Sequence, residues 1–185
     1  LKETEQRNAE LAVINSVQDG LASKLDIQAI YDLVGDKIRD VFDAQAVGIV
    51  TLDKKMGIEK FVYMIEKGER YYPDPRPYDK LREQLIRTKK KILINNNIEA
   101  AFAEFGLKVV KGSEMPKSLL FVPLIANEEV TSYVTLQNID KENAFTDSDV
   151  RLLETLANSM SVALENARLF DETKRLLKET EQRTA

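Results

Sequence analysis

The chain has 185 residues, of which 43% are hydrophobic and 31% charged, with a formal net charge of −4. That is enough for one domain of about 100–200 residues with helical extensions, and the mild acidity gives no electrostatic footprint for nucleic acid. Cysteine and histidine are both absent, which excludes disulfides, zinc sites of the Cys/His type, imidazole general bases and phospho-accepting histidine.

In chain order, Leu11, Ile14, Val17, Leu21 and Leu25 make one narrow stripe on an opening helix. Asp26 is placed to cap a second helix, whose wider stripe is Ile30, Leu33, Val34, Ile38, Val41 and Phe42. Gly35 either weakens that helix or permits a close approach to a neighbour. The runs 46–52 and 58–66 read as a β-hairpin. Prolines at 73, 75 and 77 predict an extended loop without regular structure.

A helix over 79–88 follows, then a short strand at 92–94, and then Asn95, Asn96 and Asn97. A helix from 98 to 105 stops at Gly106, a residue suited to a left-handed helix end. A loop over 108–117 leads to two further strands, 118–125 and 130–137, with Pro123 predicting an edge or a bulge. Thr146 with Asp149 marks the cap of a last helix, which shows no Gly or Pro to the end of the chain. Antiparallel strands covered by helices predict an α+β domain. No apolar run has the roughly 18 residues a membrane span needs and no signal-peptide pattern is seen, so a soluble, cytoplasmic protein is expected.

The segment 122–125 (Val-Pro-Leu-Ile), the hairpin after it, Leu136-Gln137-Asn138 and the run 145–149 (Phe-Thr-Asp-Ser-Asp) resemble the GAF family, small-molecule-sensing and dimerising domains of signalling proteins. The resemblance covers nearly all of residues 13–169. It implies a PAS-related fold with a central six-stranded antiparallel sheet and the N- and C-terminal helices packed on one face. The short helices would cover a pocket on the other face. On this chain the pocket is expected beneath 79–88 and 95–105, with Phe61, Tyr63, Phe121, Tyr133 and Thr135 as floor and Asn95, Asn97, Phe102 and Phe105 as further candidates. The division expected is a linker helix over 1–24, the GAF domain over 25–169 and a signalling-helix linker over 170–185.

Cyclic-nucleotide-binding members share an Asn-Lys, Phe, Asp-Glu signature. Here Asn138, Phe145 and Asp149 remain, but Ile139 and Val150 replace the Lys and the Glu. The ion pair of the signature cannot form, and a plugged core with a helix cap explains these residues better. Bilin or haem attached through cysteine or histidine is excluded, so no cofactor is expected. Asn95–Asn97 can bond a small ligand, but turn chemistry accounts for them without one. Lys89–Lys91 read as a solvated rim and Tyr71, Tyr72 and Tyr78 as pins of the proline loop. An enzyme has least support, because GAF-fold methionine sulfoxide reductases depend on cysteines.

Heptad spacing on the last helix aligns Leu153, Met160 and Ala167 in one row and Leu156, Ala163, Phe170 and Leu177 in the next. Leu152, Ala157, Val162, Leu164 and Leu169 widen the first half into a stripe that must also cover the sheet. The half beyond Phe170 reads as a linker leaning on a partner helix. With Leu11, Ile14 and Leu21 these rows predict a homodimer through a shared helix bundle. The string Leu-Lys-Glu-Thr-Glu-Gln-Arg occurs at both 1–7 and 177–183, as expected of one module in a tandem array. The expected role is a non-catalytic sensory module feeding an output such as a histidine kinase or nucleotide cyclase. A structural spacer with a filled pocket is the alternative. A polar-lined cavity favours the sensor, and aromatics filling that space favour the spacer.

Overall fold

The structure is a computed structural model that describes residues 2–24, 26–109 and 111–184. Leu25 of the first stripe lies outside the described residues, as do Leu1 and Ala185. The elements are α1 (Lys2–Ala22), α2 (Ile27–Val41), β1 (Ala46–Asp53), β2 (Ile58–Glu66), β3 (Glu69–Arg70), β4 (Arg76–Pro77), α3 (Lys80–Thr88), β5 (Ile92–Ile94), α4 (Ile98–Phe105), β6 (Ser118–Ala126), β7 (Glu129–Asn138) and α5 (Asp147–Thr184). The strands form one antiparallel sheet in the order β3-β2-β1-β7-β6-β5, and β4 also pairs with β2.

Alternation along the strands divides the core in two. Leu120, Val122, Val134 and Leu136 point to one face, where Ile30, Val34 and Ile38 of α2 meet Leu153, Leu156 and Met160 of α5. Leu119, Phe121 and Tyr133 point to the other, where Leu81 and Leu85 of α3 cover them. Val17 and Leu21 belong to the first cluster, so the second half of α1 is part of the domain's core.

The caps follow the sequence. Asp26 accepts from the Gln28 amide at 3.1 Å. Thr146 and Asp149 cap each other's backbone reciprocally, at 3.1 and 2.9 Å, which starts α5. Thr146→Ala is expected to cost about 1 kcal/mol, read as a lowered urea midpoint with an unchanged slope.

Two short strands depart from expectation. Lys67 and Gly68 both take positive φ, the two-residue turn that folds β3 back on β2. The proline loop is not wholly irregular. Arg76 and Pro77 pair with Glu59 and Ile58, an edge position where proline's missing donor is tolerated. Pro123 stands where β6 has only β7 beside it, since β5 reaches no further than Phe121. A register shift follows between Leu124 and Ile125.

Candidate functional site

The side of the sheet opposite α1, α2 and α5 carries a buried ionic cluster. The edge pairing of β4 brings Arg76 onto β2, where its Nε donates to Glu59 Oε1. From above comes Arg82, on the first turn of α3. Asp79, the α3 N-cap, accepts from the Arg82 amide at 2.9 Å and from its Nη1 at 2.7 Å, which aims the guanidinium down at the sheet. There Arg82 Nε lies 3.2 Å from both Glu59 Oε2 and the Tyr133 hydroxyl oxygen. The Tyr133 hydroxyl donates to Glu59 Oε2 at 2.6 Å.

Glu59 and Tyr133 are fully buried and Arg82 nearly so. Burial works against the Arg82 charge, but Tyr133, Glu59 and Asp79 outweigh it and hold its pKa above the ordinary value. Burial also raises the Tyr133 pKa; Arg82 opposes this shift and Glu59 reinforces it. Arg82 further stacks over the rings of Phe121 (5.2 Å) and Tyr133 (5.6 Å), and Arg76 over Phe61 (5.4 Å).

Between this cluster and residues 107–109 and 113–116 lies a cavity of about 30 Å³, room for about a water molecule or two. Arg76, Arg82, Lys108, Glu114, Ser113 and Gln137 are among its polar walls, with Phe102, Leu107 and Phe121 among the apolar ones. Residues 107–109 and 113–116 act as a cover with two latches, at Ser113 and Glu114. Ser113 Oγ donates to Glu66, and Lys67 Nζ meets Glu114 at 2.7 Å. Helix α4, beside it, has no fully buried residue.

The residues expected in the pocket separate. Phe121 is its floor and Phe102 is on its wall. Tyr133, Phe61 and Phe105 pack in or around the same cluster, without Tyr133 reaching the cavity wall. Thr135 is buried on this face with no partner for its hydroxyl among the described residues.

Tyr63 is not part of the pocket. A bulge in β2 opposite Ile49 and Val50 leaves Val62 unpaired with β1, so Phe61 and Tyr63 face opposite sides. Tyr63 packs in the α2 side of the core, its hydroxyl 2.7 Å from Asp36. Asn95 clips β5 to the start of α5, donating to the Phe145 carbonyl at 3.0 Å and accepting from the Phe145 amide at 3.4 Å. Asn97 holds the left-handed position before α4, and its side chain bonds Asn96 instead of capping the helix. Neither asparagine reaches the cavity.

Asn138 is buried and structural: it donates to the Asp43 carbonyl and accepts from the amides of 140 and 141. Phe145 is core, and Asp149 is a cap.

A sequence model described as "GAF domain" matches residues 24–165. The chain belongs to the GAF domain family. GAF domains are generally regulatory, sensory modules, and they occur in signalling proteins. A curated relative, the formate hydrogenlyase transcriptional activator of Salmonella typhimurium, is 22% identical over 171 residues. The alignment covers 89% of this chain but only 24% of that protein.

The fold is also that of the GAF domain from an Acinetobacter phosphoenolpyruvate-protein phosphotransferase (TM-score 0.67, 16% identity, 88% of this chain and 96% of that one). A methyl-accepting chemotaxis protein segment is similar (TM-score 0.68, 16% identity, 85% and 99% covered). So is the free methionine-R-sulfoxide reductase from Neisseria meningitidis (TM-score 0.69, 15% identity, 86% and 90% covered). This GAF domain has, among its described residues, no helix long and apolar enough to cross a membrane.

Sequence reasoning missed Glu59, Arg76 and Arg82. The signal was present, since Glu59 interrupts a β-rich run at a position of the strand that also carries Phe61. What it lacked was a partner, and both arginines come from elements whose docking no local pattern shows.

Proposed function

We propose that this GAF domain is a non-catalytic sensory and dimerising module of a signal-transduction protein, responding to a small ligand in the cavity beside Arg76 and Arg82. The polar, arginine-walled cavity carries this reading. It shares β6 and β7 with the helical face, so a change at the cover can pass through the sheet to α5. The alternative, a spacer with an occluded pocket, is favoured by the cavity's small size and by the way Arg82, Phe121 and Tyr133 fill the space.

The dimer seam expected from heptad spacing needs correction. Leu156, Met160 and Ala167 are fully buried within the chain itself. Leu21, Ala163 and the partly buried Ile14 pack against the same core, with Leu21 and Ala163 on the wall of the groove between α1 and α5. The early turns of α5 cover the sheet, α1 and α2 together, which leaves a different row outside. Val162, Leu169 and Leu176 recur at heptad spacing with Phe170 and Leu177 beside them, all exposed, and Leu11 is exposed on α1. Val162 also borders that groove, which is open and about 480 Å³ in volume. We assign the homodimer contact to this row. The echo of 1–7 at 177–183 fits a parent with adjacent GAF modules and an output domain, such as a kinase or cyclase.

Native mass spectrometry of the purified protein tests the whole reading. A dimer carrying a bound small molecule is the expected result, a bare dimer favours the spacer, and a bare monomer overturns both. Val162→Glu with Leu169→Glu is expected to halve the mass seen by light scattering at micromolar concentration, with the circular dichroism spectrum unchanged.

A further inference from the structure

We propose that the ligand of this cavity is a small anion with carboxylate- or phosphate-type oxygens, held by Arg76 and Arg82. The proposal rests on the sensory reading above and adds the ligand's chemical class. A guanidinium presents five N–H donors in a planar fork. Arg82 directs Nε to Glu59 and Tyr133 and Nη1 to Asp79, while Arg76 directs Nε to Glu59. Among the described residues, Arg82 Nη2 and both Nη groups of Arg76 have no hydrogen-bond acceptor. Both side chains wall the cavity.

The charges around the space point the same way. Glu59 and Asp79, which neutralise the arginines, do not reach the cavity wall. Arg76, Arg82 and Lys108 do, against a single acid, Glu114, which Lys67 holds at 2.7 Å. A cation there would meet three like charges. A neutral molecule would leave charge-assisted donors without a matching oxygen, whereas a planar or tetrahedral oxyanion can take two or more of them at once. Glu59 also fixes the arginine positions in advance, so little order has to be gained on binding.

The cavity as it stands holds little more than water. A larger anion must displace the cover at Ser113 and Glu114, breaking the Ser113–Glu66 and Lys67–Glu114 latches, and occupancy is thereby coupled to the end of β2.

The test follows the arginine Nε–Hε resonances of the whole chain by NMR at fixed ionic strength. Sodium acetate, inorganic phosphate and uncharged acetamide are titrated in turn, with sodium chloride as the ionic-strength control. A saturable shift of the Arg76 and Arg82 signals with acetate, phosphate or both supports the proposal and tells the two oxyanions apart. Acetamide should give none. Arg76→Gln is expected to weaken binding at least about tenfold, the loss of one charge-assisted bond. Lys108→Gln, outside the buried cluster, should weaken it severalfold and is the check should Arg76→Gln disturb the fold.

Shifts with acetamide alone would overturn the anionic class yet leave a ligand cavity. Shifts with none of the three would also overturn the class. The sensory reading would then stand or fall separately, on whether the native mass spectrum shows a bound molecule.

Discussion

Glu59→Gln should lower the unfolding free energy by about 3–5 kcal/mol, the usual cost of removing one partner from a buried ion pair. The substitution keeps the size of the side chain and removes only its charge, so lost packing cannot explain the result. What remains is Arg82, 6% exposed, with Asp79 as its one anionic neighbour, and Arg76 without its carboxylate. The Tyr133 hydroxyl, which donates to Glu59 at 2.6 Å, would meet an amide that accepts less strongly. Against a typical total of about 5–15 kcal/mol for a domain, a loss of this size is plain in a urea titration followed by circular dichroism.

A companion substitution separates charge from shape. Glu59→Met combined with Arg82→Met replaces the buried pair by apolar groups and leaves only the partly exposed Arg76 without its carboxylate, so it should recover most of the stability. A double variant as unstable as the single one would mean that Arg82 matters for its contacts with Phe121 and Tyr133 and not for its charge. If the double variant is stable but no longer binds acetate or phosphate, the cluster is retained for recognition at the expense of stability.

The architecture was legible because its signals are local. The Asp26 and Thr146–Asp149 caps, the Gly106 stop and the alternation in 118–125 and 130–137 each act within a few residues, and each appears where the pattern places it. The candidate site was legible only in its aromatic residues. Phe121 on the floor and Phe102 on the wall were expected, and strand alternation puts Tyr133 in the cluster beneath. Tyr63 was lost to a bulge, which shifts facing by one residue and leaves no mark in the sequence.

Heptad counting on α5 was right that its first half packs on the domain, but it put buried residues into the dimer seam. Apolar spacing shows that a helix has buried faces, not which neighbour buries them, and here the domain itself took the rows through Met160 and Ala163. The exposed row through Val162, Leu169 and Leu176 is regular too, but it stood out only once the buried rows were removed.

Gly35→Ala should destabilise the domain by about 2 kcal/mol, although alanine is the better helix former. On propensity alone the exchange would gain up to about 1 kcal/mol within α2. The obstacle is the Tyr63 ring, because a Cβ at Gly35 would sit 2.5–2.6 Å from its Cζ, Cε1 and Cε2 atoms. The ring cannot easily yield. Its hydroxyl donates to Asp36 at 2.7 Å, and Arg70, itself bonded to Asp36 at 2.9 Å, lies 4.7 Å from the ring centroid. The helix must therefore shift away from the sheet, an overpacking cost of about 1–3 kcal/mol or more.

The sign of the effect identifies the cause. With Tyr63→Leu in place the three clashing atoms are gone, and Gly35→Ala should stabilise by up to about 1 kcal/mol from propensity alone. The two values together imply a coupling near the upper end of the roughly 0.5–3 kcal/mol seen between residues in contact. Equal effects in both backgrounds would show that Gly35 is needed for something other than the approach of Tyr63. The same bulge that turned Tyr63 away from the cavity thus explains why α2 carries a glycine in its middle.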